Sequence, residues 1–158
     1  MRLLAIDVGN TRVHAGIFVD GTLVRLCSGP RFPKSDVIAV ASVRPSFRLP
    51  RGARLLGRDF PPRVRNRARH PETVGADRLA AASGAYAKAR GRCAAVTVGT
   101  AVTVSVVNFR GEFIGGLIAP GPTLQARALS EHTALLPQVS PRRAKKVVGR
   151  HTREAIEA

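Results

Sequence analysis

"LAIDVGNTRVHA" at residues 4–15 and "AAVTVGTAVTVS" at residues 94–105 follow one plan. Each runs from a short apolar strand into a glycine turn carrying a threonine, then into a second strand. Two residues before the glycine stands Asp7 in the first stretch and Thr97 in the second. The likeness continues downstream. Gly21 lies twelve residues after Gly9, and Gly111 twelve after Gly99; each later glycine sits in a hairpin, "FVDGTL" and "NFRGEF". Strand, turn and hairpin matching together imply two lobes of common architecture, with equivalent turns facing one cleft.

Working outward, residues 2–8 form a continuous apolar run suited to a strand buried on both faces. Residues 13–19 resume as a strand, and Asp20-Gly21 is a strong hairpin dipeptide before a third strand at 22–27. A loop at 28–36 precedes a strand at 37–42, which Pro45 ends. Residues 44–70 are rich in arginine and proline with little periodicity, so mostly irregular structure is expected. The clearest helix is 77–90, with Leu79, Ala82, Ser83 and Tyr86 as its buried stripe and Gly91 as the residue that ends it. A second meander follows at 94–99, 102–108 and 112–118. Pro120-Gly121-Pro122 opens another helix that Pro137 ends. Residues 140–150 read as a basic connector, and Thr152 as the N-cap of a short final helix.

The 158 residues are 44% apolar with a mean hydropathy near zero, which suits a soluble globular protein. No apolar run approaches the length of a membrane span, and charged residues interrupt the N-terminus at Arg2 and Asp7, so a cytoplasmic protein is expected. Cys27 and Cys93 sit in apolar strand-like surroundings and read as buried free thiols. The formal charge is +16, and 22 of the 26 basic residues are arginine. Seven arginines fall within residues 51–69, as a phosphate-binding surface would require. Aromatics make up only 4% and none alternates with these arginines to stack bases, so a solvated charged face is the reading preferred over nucleic-acid binding as the main function.

Two constellations can carry chemistry. "DVGNT", residues 7–11, places an acid at the end of a buried strand before a turn with exposed N–H and hydroxyl groups. Such a turn can hold a metal–phosphate complex; it can equally be an ordinary Asn-containing turn with Asp7 as its local acceptor. "VGADR", residues 74–78, places Asp77 in the first turn of a helix, where the macrodipole favours a carboxylate. That is sound helix-start chemistry, and also the position of a base accepting a hydroxyl proton beside Arg78 as an anion clamp.

These residues also carry a resemblance. "DVGNT", "SVRP" (42–45), "PETVGADR" (71–78), "GTAVT" (99–103), "GEFIGGLIAPG" (111–121), "TALLPQV" (133–139) and "GRHT" (149–152) occur in this order. Together they resemble type III pantothenate kinase, the Bvg accessory factor-like family. The resemblance implies an α/β, actin-like (ribonuclease H-like) duplicated ATPase fold. The lobes would be residues 1–90 and 91–158, the second incomplete because family members continue well beyond the "GRHT" element. It implies phosphorylation of pantothenate by ATP to 4′-phosphopantothenate, on the way to coenzyme A. Asp7, Val8, Gly9, Asn10, Thr11, Arg12, Val13 and His14 would line the ATP phosphates, with Asp7 nearest a Mg²⁺ through its water shell. Thr100 would meet ATP from the second turn. Gly75, Ala76, Asp77 and Arg78 would hold pantothenate, with Asp77 as the base, and Thr152 would touch it from the final helix. The partners implied are pantothenate, ATP and a second copy in a homodimer, with no membrane or nucleic acid.

The chain departs from the family at three places. Thr97 stands where the family has an aspartate that binds K⁺ or NH₄⁺; a hydroxyl is a weaker ligand for a hard cation. Ser105 replaces a commonly acidic residue. Ala68 stands where a tyrosine usually contacts pantothenate. The alternative function is a non-catalytic basic binding or regulatory protein on the same fold.

Overall fold

A computed structural model describes residues 1–28, 32–140 and 147–158; parts of the expected loop at 28–36 and connector at 140–150 lie outside the described residues. Strands β1 (Arg2–Val8), β2 (Val13–Val19) and β3 (Thr22–Ser28) form the expected antiparallel meander. Its β2–β3 turn has both Asp20 and Gly21 at positive φ, 47° and 82°, the geometry that an Asp-Gly hairpin favours. Then β4 (Val37–Ser42) and β5 (Ala53–Leu55) add in parallel on the far side of β1. The order is β3-β2-β1-β4-β5, with β2 alone running against the others. One face of this sheet carries Leu4, Ile6, Val8, Ala15, Ile17 and Val40, all buried, with Phe32, Phe47 and Leu55 packed against them.

Residues 44–70 are not wholly irregular. Besides β5 they contain β6 (Arg65–Asn66), which pairs in parallel with β9 (Glu112–Pro120) at Arg65↔Glu112 and Asn66↔Phe113. Both strands are short and held by backbone pairing, so a side-chain pattern dominated by arginine and proline conceals them. The second sheet runs β6-β9-β8-β7, with β7 at Cys93–Val98 and β8 at Ala101–Val107. Its meander order is as expected, and Gly111 at the β8–β9 turn has φ 74°, close to Gly21. The other pair of turns differs in length. Residues 9–12 connect β1 to β2, whereas only Gly99 and Thr100 connect β7 to β8.

Helix α1 (Ala76–Ala89) buries Ala82 completely and packs Leu79 and Tyr86 beside it, with Val64, Val107 and Phe113 completing a second core. Its terminator is Arg90 rather than Gly91: Arg90 takes the left-handed conformation at φ 52° and its N–H reaches the Tyr86 carbonyl. Helix α2 (Pro122–His132) ends well before Pro137, because the Thr133 hydroxyl caps the Leu129 carbonyl at 2.7 Å. In α3 (Thr152–Glu157) the N-cap is His151, not Thr152: the extended His151 accepts the Glu154 N–H through Nδ1, and Glu154 in return accepts the Arg150 N–H. Cys27 and Cys93 are free thiols, half-buried, one against each core.

By compactness the chain forms two units, Met1–Ala95 with Ser105–Gly116, and Val96–Val104 with Leu117–Ala158. They do not follow the 90/91 boundary expected of the lobes. Residues of β8 and β9 fall in the first unit because Val107 and Phe113 belong to the core beneath α1. Among the described residues, no helix is long and apolar enough to cross a membrane.

Candidate active site

In the first unit β1 delivers Asp7 to the end of the sheet, directly opposite His14 in the β1–β2 register, with Val8 opposite Val13. Gly9, Asn10, Thr11 and Arg12 form the turn between them, closed by the Gly9 N–H on the Arg12 carbonyl at 3.0 Å. Asp7 is exposed, yet partial desolvation raises its pKa above the ordinary aspartate value; the charge of Asp77 pushes the same way, and His14 opposes both. Two acids seventy residues apart in sequence thus feel each other across the first unit.

Gly75, Ala76, Asp77 and Arg78 form the N-terminus of α1, with Gly75 as N-cap. Gly75 has φ −59°, a value open to any residue, so its need is spatial. A Cβ there would lie 2.5 Å from Asp77 Oδ1, so the bare backbone makes room for the carboxylate to fold over the helix start. Asp77 Oδ1 also accepts the Arg78 N–H at 2.8 Å. The Arg78 side chain is set from β8 and β9. Its Nε–H donates to Ser105 Oγ at 3.3 Å, and its guanidinium carbon lies 5.3 Å from the centre of the Phe113 ring. Ser105 and Phe113 are both buried. Sequence reading missed this support for Arg78. Its available signal was the alternation of Thr103, Ser105 and Val107 on one face of β8, all of which are buried.

A cavity of about 570 Å³ opens beside Asp7 and His14, running past Gly16, Ala39 and Ala41 to Ala80 and Ser83 of α1. Small side chains on this face of the first sheet create the space.

In the second unit, Thr97 and Thr103 share a hydrogen bond of 2.8 Å between their hydroxyls. Thr100 lies in the β7–β8 turn, whose carbonyl accepts the Gly121 N–H at the start of α2. Thr152 is the exposed first residue of α3. Among the described residues, no three His, Cys, Asp or Glu side chains cluster to hold a metal. Ala68, at the position where a tyrosine was expected, packs against the second core of the first unit.

A sequence profile described as type III pantothenate kinase matches residues 53–158. The chain belongs to that family. Among type III pantothenate kinases, that of Koribacter versatilis is 43% identical over 89 residues, covering 56% of this chain and 32% of the relative. That of Nocardia farcinica is 33% identical over 193 aligned positions, covering 99% of this chain and 72% of the relative. This alignment exceeds the 158 residues here, so the relative has internal segments that this chain lacks. The matches span about a third of the length of the first relatives, 32% and 36%. A crystal structure of a Baf family protein from Campylobacter jejuni superposes with a TM-score of 0.62 over 98% of this chain and 71% of that one. At 17% identity that likeness shows a shared fold.

Proposed function

We propose that the chain is a pantothenate kinase, transferring the γ-phosphoryl group of ATP to the primary hydroxyl of pantothenate. The observation that carries this reading is the cavity of the first unit, bordered by Asp7 and His14 beside a phosphate-type turn and by α1, the helix that Asp77 helps to start. The mixed sheet β3-β2-β1-β4-β5 with a single reversed strand supports the actin-like lobe that the reading requires. The proposed setting is a cytoplasmic homodimer.

The donor set fits Mg²⁺. One carboxylate with water and phosphate oxygens is the usual magnesium arrangement, and a cation offsets the desolvation and the Asp77 repulsion that raise the Asp7 pKa. Bound with ATP, Mg²⁺ would neutralise charge on the transferring group. Asp7 would hold the ion through water, and Thr11 with the turn N–H groups other than that of Gly9 would face phosphate oxygens. Arg78 orients the carboxylate of pantothenate, and Asp77 takes the hydroxyl proton as the new O–P bond forms and the bond to the ADP oxygen breaks. In contrast, Thr97 does not fit a monovalent cation, because its hydroxyl is bonded to that of Thr103 and no carboxylate is supplied. No step is assigned to K⁺.

The same Thr97–Thr103 pair, with Ala68 in the core, favours the second reading: a non-catalytic binding protein on this fold. Purified protein with ATP, Mg²⁺ and pantothenate separates the two. Formation of 4′-phosphopantothenate that falls by about 10²-fold or more in Asp77→Asn, with the fold intact, supports catalysis. Equal turnover in variant and parent removes Asp77 from the mechanism, and no turnover in either favours the binding protein.

A further inference from the structure

Arg63, Arg65, Arg67 and Arg69 are all exposed, while Val64 is buried and Asn66 and Ala68 are half-buried between them. The alternation is that of an extended strand with one face outward. The backbone confirms it: the N–H groups of Arg65 and Arg67 donate to the carbonyls of Gly111 and Phe113, each near 3 Å. This segment contains β6, the edge strand of the second sheet. Arg65 lies in β6 itself, and the chain bends at Arg63–Val64 and again at Arg69–His70, so the four arginines form a row along this edge that is extended in the middle and curved at both ends. Among the described residues, only Arg67 of the four has a carboxylate partner, Glu112 at 3.4 Å, and that pair is exposed enough to exchange for a phosphate.

We infer that this edge is a docking surface for the phosphate backbone of single-stranded nucleic acid, bound without regard to sequence. A row curved at its ends suits a single strand better than a duplex. A duplex has a persistence length of about 50 nm and cannot bend sharply enough to follow it. A flexible single strand can follow the row throughout. With no aromatic residue in the segment to stack bases, attraction to phosphates is the whole of the recognition. The row also deters edge-to-edge pairing of sheets, but edge protection needs only one or two charges. The inference is independent of the kinase reading.

Fluorescence anisotropy with a labelled oligothymidylate of about 20 nucleotides tests it across a salt series. Four phosphate contacts predict a slope of log K against log salt of about −2.8. Replacing all four arginines of the row by glutamine should flatten the slope and weaken binding at least tenfold. A control with Arg25, Arg48, Arg92 and Arg153→Gln removes the same charge from other exposed positions and should keep the slope. Single Arg63→Gln and Arg69→Gln variants should each lower it by about 0.7, which keeps the test decisive should the fourfold variant fail to fold. Equal losses in row and control would reduce the effect to net charge and overturn the inference. Absence of binding by the parent, tighter binding of a duplex of the same length, or preference for anionic lipid vesicles would overturn it as well.

Discussion

Asp7 is held with its pKa raised, so the folded state binds its proton more tightly than the unfolded chain does. Its ionisation therefore costs stability at neutral pH, a cost that is full above the raised pKa and gone once the pH is well below 3.8. Asp7→Asn should be more stable than the parent to urea at pH 7, with the gap closing as the pH falls through the raised pKa. A less stable variant at pH 7 would show that the acid is there for the fold. Asp59 is the contrast: bonds from Arg58 and the Leu55 N–H push its pKa down to about 2, so its contribution is present above 3.8 and lost as the pH falls from there toward about 2. Thr97 carries the other residue-scale prediction. With its hydroxyl turned to Thr103, phosphoryl transfer should be indifferent to K⁺ and NH₄⁺, and Thr97→Asp should introduce a dependence. Strong activation of the parent by K⁺ would mean that a cation is held there after all. The identities of Asp7, Asp77 and Thr97 were legible in the sequence; that Thr97 faces Thr103 was not, since i to i+6 partners across a turn depend on register.

For α1, the apolar spacing of Leu79, Ala82 and Tyr86 disclosed the helix, whose observed bounds lie one residue earlier at each end. A glycine at position 91 draws the helix end to itself in any sequence reading, yet the chain reaches its left-handed residue one step earlier. Arg90→Gly should accordingly stabilise the protein by about 0.5–1 kcal/mol, the gain from removing a strained Cβ less the loss of a favourable charge at the helix end. Gly91→Ala should change thermal stability little, because Gly91 lies outside the positive-φ region and a Cβ there meets only ordinary contacts. The reverse ranking in thermal melts would restore Gly91 as the terminator. Strands β5 and β6 were illegible for a different reason. Their two or three residues are fixed by backbone bonds to strands distant in sequence, such as Arg65 N–H to Gly111, and no local periodicity records that.

Across the whole molecule, a charge of +16 opposes self-association while exposed apolar residues promote it. The second unit exposes Val96 and Val98 on β7 and Leu117 and Ile118 on β9, with Val98 at 69% and Ile118 at 64% of their full accessibility. Its buried positions among the described residues are few and small, Thr103, Gly121, Ala126 and Val139. Exposed apolar surface of this kind favours association, at about 25 cal/mol per Å² covered. Repulsion between copies reaches about 10 Å at 0.1 M salt and about 3 Å at 1 M, so salt removes the opposing force and leaves the attraction. Sedimentation velocity should therefore show more association at high salt than at low, the reverse of the response expected for oligonucleotide binding at the arginine row. Val98→Thr combined with Ile118→Thr keeps the β-branched shapes and should return the protein to monomer at both salts. Association that weakens as salt rises would place the contact on charged groups instead, and would separate it from the apolar face of the second unit.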